Sequence, residues 1–315
     1  MWSRLAAALL LLTGCSVISV DLTPKVRALE ETTLEGKGRD KILLIDLAGV
    51  LAEEPIFTLE SRPQVPLLAR VREELEKAED DQAVRAVVLR INSPGGTVTA
   101  SDVLYHEISA FKARRKIPVI AAIMDVGASG GYYVALAADR IVAHPTTVTG
   151  SIGVLMLTVN SSGLLEKLGV SATYIKSGAL KDMGSPFRAM SPEEQVLFQG
   201  LIDRFYGRFV GLVARERHLD EGRVRAFADG RVYTAQEAES LGLVDRIGYL
   251  EDALALARES AGITQAKVVG YHRPRLYRAT VYSSAEPPPP AASVGVGDLA
   301  RLVVSGPKLL YLWWP

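Results

Sequence analysis

At three places in this chain glycine and serine are concentrated where an apolar run should end as a strand and a helix should begin, and that punctuation leaves few folds open. The runs Lys41–Leu47 and Ala83–Ile91 are short and rich in leucine and β-branched residues, and Val65–Lys77 between them carries helical spacing. Together they predict a β-α-β unit. Val98–Arg115 is helical again, with Thr97 or Thr99 placed to cap it, and Ile117–Met124 returns as a nearly continuous apolar strand. Such alternation predicts an α/β fold: a mainly parallel sheet with helices on both faces.

The pattern continues with a small-residue helix over Gly130–Asp139, a strand over Arg140–Ala143 and a further strand over Thr173–Lys176. Ser191 and Pro192 open a long amphipathic helix reaching His218, serine as cap and proline in the first turn. Thr234-Ala235-Gln236-Glu237 reads as a capping box for a helix ending at Gly242, and Leu250–Ala261 as one more helix. The expected organisation is a leader over residues 1–14, a tether over 15–40, a folded domain over 41–282, a proline-rich linker over 283–298 and an apolar tail over 299–315. With 48% apolar and 23% charged residues the chain is globular. Its formal net charge is zero and it holds no long basic run, so nucleic-acid partners are not expected.

The N-terminus has one arginine, Arg4, then the apolar run Leu5–Leu12 and the sequence Leu12-Thr13-Gly14-Cys15. That is a secretory signal in form, too short to span a bilayer about 30 Å thick as a mature helix. The one cysteine of the chain, Cys15, cannot form an internal disulfide. Its setting resembles the bacterial lipobox, in which the thiol is acylated and becomes the new N-terminus, so a lipid-anchored protein at the cell envelope is expected. The alternative is an ordinary signal peptide or uncleaved anchor with an incidental cysteine.

Three segments could carry chemistry. Asn92-Ser93-Pro94-Gly95-Gly96 follows a strand, and its glycines can turn backbone N–H groups outward as an oxyanion hole does, although Pro-Gly-Gly also serves as a plain turn. In Val126-Gly127-Ala128-Ser129-Gly130-Gly131-Tyr132-Tyr133 a serine stands between a strand and a helix, as a nucleophile or as a simple cap. The four histidines, His106, His144, His218 and His272, sit in no triad context and read as structural or surface residues. A base can instead come from Lys176-Ser177-Gly178-Ala179-Leu180-Lys181-Asp182, because a desolvated lysine can accept a proton near neutrality; the bland alternative is a solvated loop lysine.

These segments together resemble the signal peptide peptidase A family. The matching stretches are Ser93–Gly96, Ala128–Tyr133, Thr149–Val154, Lys176–Gly178 with Lys181-Asp182, and Gly230–Ala238 with Leu241–Asp245. The resemblance implies a ClpP/crotonase-like fold and a Ser/Lys dyad: Ser129 as nucleophile, Lys181 as general base with Lys176 its rival, and Ser151 orienting the lysine. It also implies an oxyanion held near Gly96 and Gly130. No metal or cofactor is called for. It further implies apolar peptide substrates such as remnant signal peptides, small and apolar pocket walls, and a homo-oligomeric ring in which neighbouring subunits share each site. Pro307–Leu312 resembles the family's C-terminal end and could dock in the substrate groove or pack on the ring surface. Two other readings compete: an inactive envelope scaffold of the same fold, and a crotonase-type acyl-CoA enzyme, which an export signal disfavours.

Overall fold

Neighbouring residues of β2 (Lys41–Ala48) are buried on opposite sides: Leu43, Ile45 and Leu47 join one apolar cluster, Ile42 and Leu44 another. A strand with period two can do this only inside a sheet covered on both faces. The same division runs through β3 (Val84–Ser93) and β5 (Val119–Ala128), so the continuous apolar runs of the sequence become central parallel strands. This architecture comes from a computed structural model, which describes residues 28–53, 65–273 and 308–313.

One face is covered by α1 (Leu67–Asp80), α2 (Val98–Arg115), α3 (Gly130–Ala135) and α5 (Pro192–Arg217), the other by α8 (Leu250–Ser260). The main sheet runs β1-β11-β2-β3-β5-β6-β10, where β1 is Glu30–Gly36, β6 Arg140–Ala143, β10 Arg246–Ile247 and β11 Lys267–His272. Beside β5 the short strand β7 (Val148–Gly150) pairs in parallel and carries β9 (Val232–Thr234). The α/β expectation is met, with a mainly parallel sheet and helices on both faces.

Helix ends follow their sequence signals. Thr97 Oγ1 accepts from the Ala100 amide, Ser191 and Glu194 form a capping box with Pro192 in the first turn of α5, and Thr234 and Glu237 form another for α7 (Ala235–Leu241). Gly242 closes α7 at φ +82°, the left-handed region where glycine costs least.

Three expectations are corrected. The helix expected over Gly130–Asp139 stops at Ala135 and finishes in turns. Thr173–Lys176 is exposed and forms no strand, because no sheet edge lies beside it to complete its backbone hydrogen bonds. The stretch 15–40, expected as a tether, contains β1, paired antiparallel with β11. As an edge strand β1 buries only Leu34 and faces solvent with Glu30 and Glu35, which hides its period in the sequence.

The leader over 1–14, Cys15 and the linker over 283–298 lie outside the described residues, and of the tail 308–313 are described. Among the described residues no helix is long and apolar enough to cross a membrane.

Candidate active site

Where β3 and β5 end, their turns converge. Ser93 closes β3 and its Oγ donates to the Gly49 carbonyl at 2.6 Å while accepting from the Gly95 amide at 3.1 Å, which fixes the Pro94-Gly95 turn. The next residues form the short strand β4 (Gly95–Thr97). Leu51 donates to the Gly95 carbonyl at 2.8 Å and accepts from the Thr97 amide at 2.9 Å. Both bonds lie on one side of β4, so the N–H and C=O of Gly96 face the other. The approach is close: a Cβ on Gly96 would stand 1.8 Å from the Leu51 carbonyl oxygen.

At the end of β5, Ser129 is 1% exposed and adopts φ +52°, ψ −115°, a conformation L-residues rarely adopt. Its amide donates to the Gly150 carbonyl at 2.8 Å, and its side chain makes no capping bond to α3, so it does not serve as a plain cap. Gly130 and Gly131 follow in the first turn of α3, where amides have no intrahelical acceptor. Gly131 lets the helix approach the first turn, since a Cβ there would meet the Ser93 carbonyl at 2.5 Å. Ser151 follows Gly150, is buried, takes φ +49° and donates its amide to the Arg231 carbonyl at 2.7 Å.

The mouth of this site holds a peptide strand. Residues Lys308–Leu312 form β12, antiparallel to β4 on one side and to β8 (Leu155–Leu157) on the other. The Trp313 amide donates to the Pro94 carbonyl at 2.8 Å, and two residues earlier Tyr311 lies opposite Gly96. By the alternation of an antiparallel ladder, Tyr311 and Gly96 exchange their hydrogen bonds. A Cβ on Gly95 would stand 2.0 Å from the Tyr311 carbonyl oxygen and 2.6 Å from the Gly130 nitrogen, and one on Gly130 3.0 Å from the same oxygen. Gly96 and Gly130 therefore flank a single peptide carbonyl, and Ser129 is the residue before Gly130. The tail lies along β4, and the Tyr311 side chain packs against Tyr133 and Phe209, so the walls around it are aromatic and not small.

The two candidate bases lie on an exposed arm between β8 and α5. Lys176 is engaged, its Nζ donating to Asp182 Oδ1 at 2.6 Å and to the Ala179 carbonyl at 2.9 Å. Lys181 is exposed and its ammonium has no polar partner among the described residues; only its amide is bonded, to the Gly178 carbonyl at 3.1 Å. Within one chain Ser129 and Lys181 are thus not brought together, while Ser129, Ser151, Gly96 and Gly130 are.

Sequence reasoning missed what anchors the arm. Arg188 donates to Asp182 Oδ2 at 2.8 Å and to both carboxylate oxygens of Glu194. These bonds hold the Glu194 carboxyl down at about 2 and the Asp182 carboxyl well below its usual range, Arg188 being the largest cause in each case. The acid-base-acid spacing 182, 188, 194 was the only trace in the sequence. The histidines play no part here. His218 caps α5, His144 bonds Thr146 and packs on Tyr249, His272 faces Thr32, and His106 stands between α1 and α2.

The model of peptidase family S49 matches residues 111–264, which include Ser129, Ser151 and Lys181, and the Clp protease model matches residues 39–148. A relative from Enterococcus faecium that carries the name signal peptide peptidase SppA is 42% identical over 242 residues, 77% of this chain and 70% of its own. One from Synechocystis sp., named as a protease, is 45% identical over 192 residues, 61% of this chain and 69% of its own. The chloroplastic serine protease SPPA of Arabidopsis thaliana is 36% identical over 236 residues, 74% of this chain but 34% of that protein.

Proposed function

The chain belongs to the signal peptide peptidase A family, peptidase family S49, and is a serine peptidase; from that premise we propose that it cuts apolar peptides, remnant signal peptides among them, with a Ser129/Lys181 dyad at the cell envelope. Ser129 Oγ attacks the carbonyl of a peptide bound as a strand on β4. Lys181 takes the serine proton and returns it to the leaving amine, and Ser151 orients the lysine. The amides of Gly96 and Gly130 receive the negative charge that develops on the attacked oxygen, a stabilisation worth about 3–4 kcal/mol per donor in comparable sites.

One observation supports this reading: the Tyr311 carbonyl lies against Gly95 and Gly130, with Tyr311 paired to Gly96, and Ser129 is the residue before Gly130. The lysine is proposed to come from a neighbouring subunit of a ring. Support comes from the free ammonium of Lys181 and from the apolar side chains that a single chain leaves exposed along the arm and the start of α5: Leu164, Leu168, Ile175 and Val196. An apolar surface of this kind is the ordinary mark of a protein contact. Acylation of Cys15 would hold the ring on a membrane.

Mixing inactive Ser129→Ala and Lys181→Ala chains tests the dyad and its sharing together. Regained peptidase activity is expected, since mixed rings contain sites with both groups intact. A mixture as inactive as its components sinks the shared site. Labelling of the native chain by a serine-directed phosphonate, lost in Ser129→Ala, identifies the nucleophile independently. Metabolic labelling with palmitate, lost in Cys15→Ser, tests the anchor.

A further inference from the structure

Ser151 stands on a turn that the backbone does not favour by itself: Gly150 takes φ +86° and Ser151 φ +49°, two left-handed residues in succession. The turn is bonded on both sides. The Gly150 carbonyl accepts from the Ser129 amide at 2.8 Å, and the Ser151 amide donates to the Arg231 carbonyl at 2.7 Å. Arg231 leads directly into β9, which pairs with β7 so that Tyr233 lies opposite Thr149 and Val232 opposite Gly150. Whatever fixes β9 therefore fixes the turn.

The side chain placed to do so is Tyr233. Its ring lies over Gly150: a Cβ on that glycine would stand 2.6 Å from Cδ2 and 3.3 Å from Cε2 of the ring. The far end of the ring is tied, since the hydroxyl donates to the Phe227 carbonyl at 2.6 Å. Phe227, the last residue of α6 (Glu221–Phe227), also meets the ring edge-on at 6.5 Å between centroids and 86°. A second brace on this segment is the ion pair of Arg231 with Asp229, but both side chains are exposed, and pairs of that kind contribute little. A ring held at its hydroxyl and packed on Gly150 leaves the turn no room to drift.

We infer that Tyr233 is a positioning residue for the peptidase site: its ring, wedged between Phe227 and Gly150, sets where Ser151 and the backbone of Ser129 stand. The inference rests on the reading of Ser129 as nucleophile and Ser151 as the group that orients the lysine. Tyr233 acts through Gly150, so its loss is felt in turnover and not in the pairing of substrate with β4. Without the ring, Gly150 has no side chain of its own to fill the vacated space, and the turn shifts into it with Ser151. Phenylalanine keeps the wedge and loses only the tie to Phe227; alanine loses both.

The test assays the full chain on a short apolar peptide as Tyr233→Ala, Tyr233→Phe, Ser151→Ala and the double variant Ser151→Ala with Tyr233→Ala. Hydrogen exchange over residues 148–152 and 42–47 is followed by mass spectrometry alongside. Tyr233→Ala should lose about a hundredfold in kcat, the scale of a displacement of order 1 Å, while KM changes less than about twofold. Exchange over 148–152 should quicken about tenfold and that over 42–47, in the central strand β2, should not change. Tyr233→Phe should come back to within about tenfold of the native rate, the worth of one neutral hydrogen bond. The double variant should lose clearly less than the product of its single losses, because one side chain acts in part through the other. Tyr233→Leu takes the place of Tyr233→Ala if the alanine chain does not fold. Native kcat in Tyr233→Ala beside an impaired Ser151→Ala overturns the inference, as does a fully multiplicative double variant or exchange that rises equally over 42–47. Native kcat in Ser151→Ala would instead sink the reading of Ser151, and a lowered kcat with locally faster exchange in Tyr233→Ala would then leave the wedge acting through Ser129.

Discussion

The Ser129 amide donates to the Gly150 carbonyl at 2.8 Å, and this bond continues the β5–β7 pairing past the end of β5. It brings two serines of positive φ, Ser129 and Ser151, onto one rim of the site. Neither conformation is intrinsically favoured, so the sheet pairing behind them must hold them in place. Gly127 lies opposite Thr149 there and Ala128 opposite Gly150, while Thr149 Oγ1 donates to the Gly127 carbonyl at 2.6 Å.

If the β5–β7 pairing holds Ser129 under strain, glycine at 129 should relieve it. Ser129→Gly is expected to be about 1 kcal/mol more stable than Ser129→Ala in urea unfolding, because a side chain at positive φ costs roughly that much. Both variants should be inactive. Equal stability of the two would mean that the turn stores no strain.

Gly96 is held by space rather than by φ. Alanine there puts a methyl group 1.8 Å from the Leu51 carbonyl oxygen, a backbone atom that cannot swing aside. Gly96→Ala should lose about 1–3 kcal/mol of stability, the usual cost of overpacking, and most of its kcat, since β4 must shift to make room. Gly178→Ala, with nothing within 4 Å of the added carbon, serves as the control and should stay within about 0.5 kcal/mol of the native chain. A full-rate Gly96→Ala enzyme would remove this residue from the oxyanion site.

A substrate bound as proposed would have to share β4 with the tail, which is paired to it. A tethered strand acts at an effective concentration in the millimolar range, so an added peptide must displace it. Truncation after Glu286 should lower KM for a short apolar peptide and leave kcat nearly unchanged. Tyr311→Ala should act in the same direction by emptying the aromatic pocket. An unchanged KM in both would show that the tail leaves the groove without cost.

The centre of the fold could be read from the sequence because burial on both faces writes itself as unbroken apolar runs, as in β2, β3 and β5. Helix ends were legible where a side chain performs the capping, at Thr97, Ser191 and Thr234. Beyond that the signal thins. β1 hid because an edge strand needs only one buried side chain, Leu34. Thr173–Lys176 misled because β propensity without a neighbouring edge makes no strand. The aromatic pocket joins Tyr133 on α3 to Phe209 on α5 and Tyr311 on β12, residues far apart in sequence that only tertiary packing unites. Lys181 was singled out over Lys176 by the family resemblance, and nothing local in the sequence tells what its ammonium meets.

Arg188 should prove a positioning residue for Lys181. It ties Asp182, the neighbour of Lys181, to Glu194 in the first turn of α5, and so fixes the arm to the fold. Both carboxyls are held below their unfolded value of about 4, Glu194 at about 2. Groups depressed in this way stabilise the arm above the unfolded value, and the contribution is lost as pH falls through the folded one. Pepsin should therefore begin to cut between residues 176 and 190 as the pH drops from about 4 towards 2. In Arg188→Ala the same cuts should appear at the higher end of that range. At neutral pH the variant should lose at least about tenfold in kcat with little change in KM, as expected when a catalytic group is misplaced but the groove is intact. Arg188→Lys should recover only part, because a single ammonium cannot bridge two carboxylates as a guanidinium fork does. An Arg188→Ala chain with native kcat and native acid resistance would show that the arm is held by other contacts.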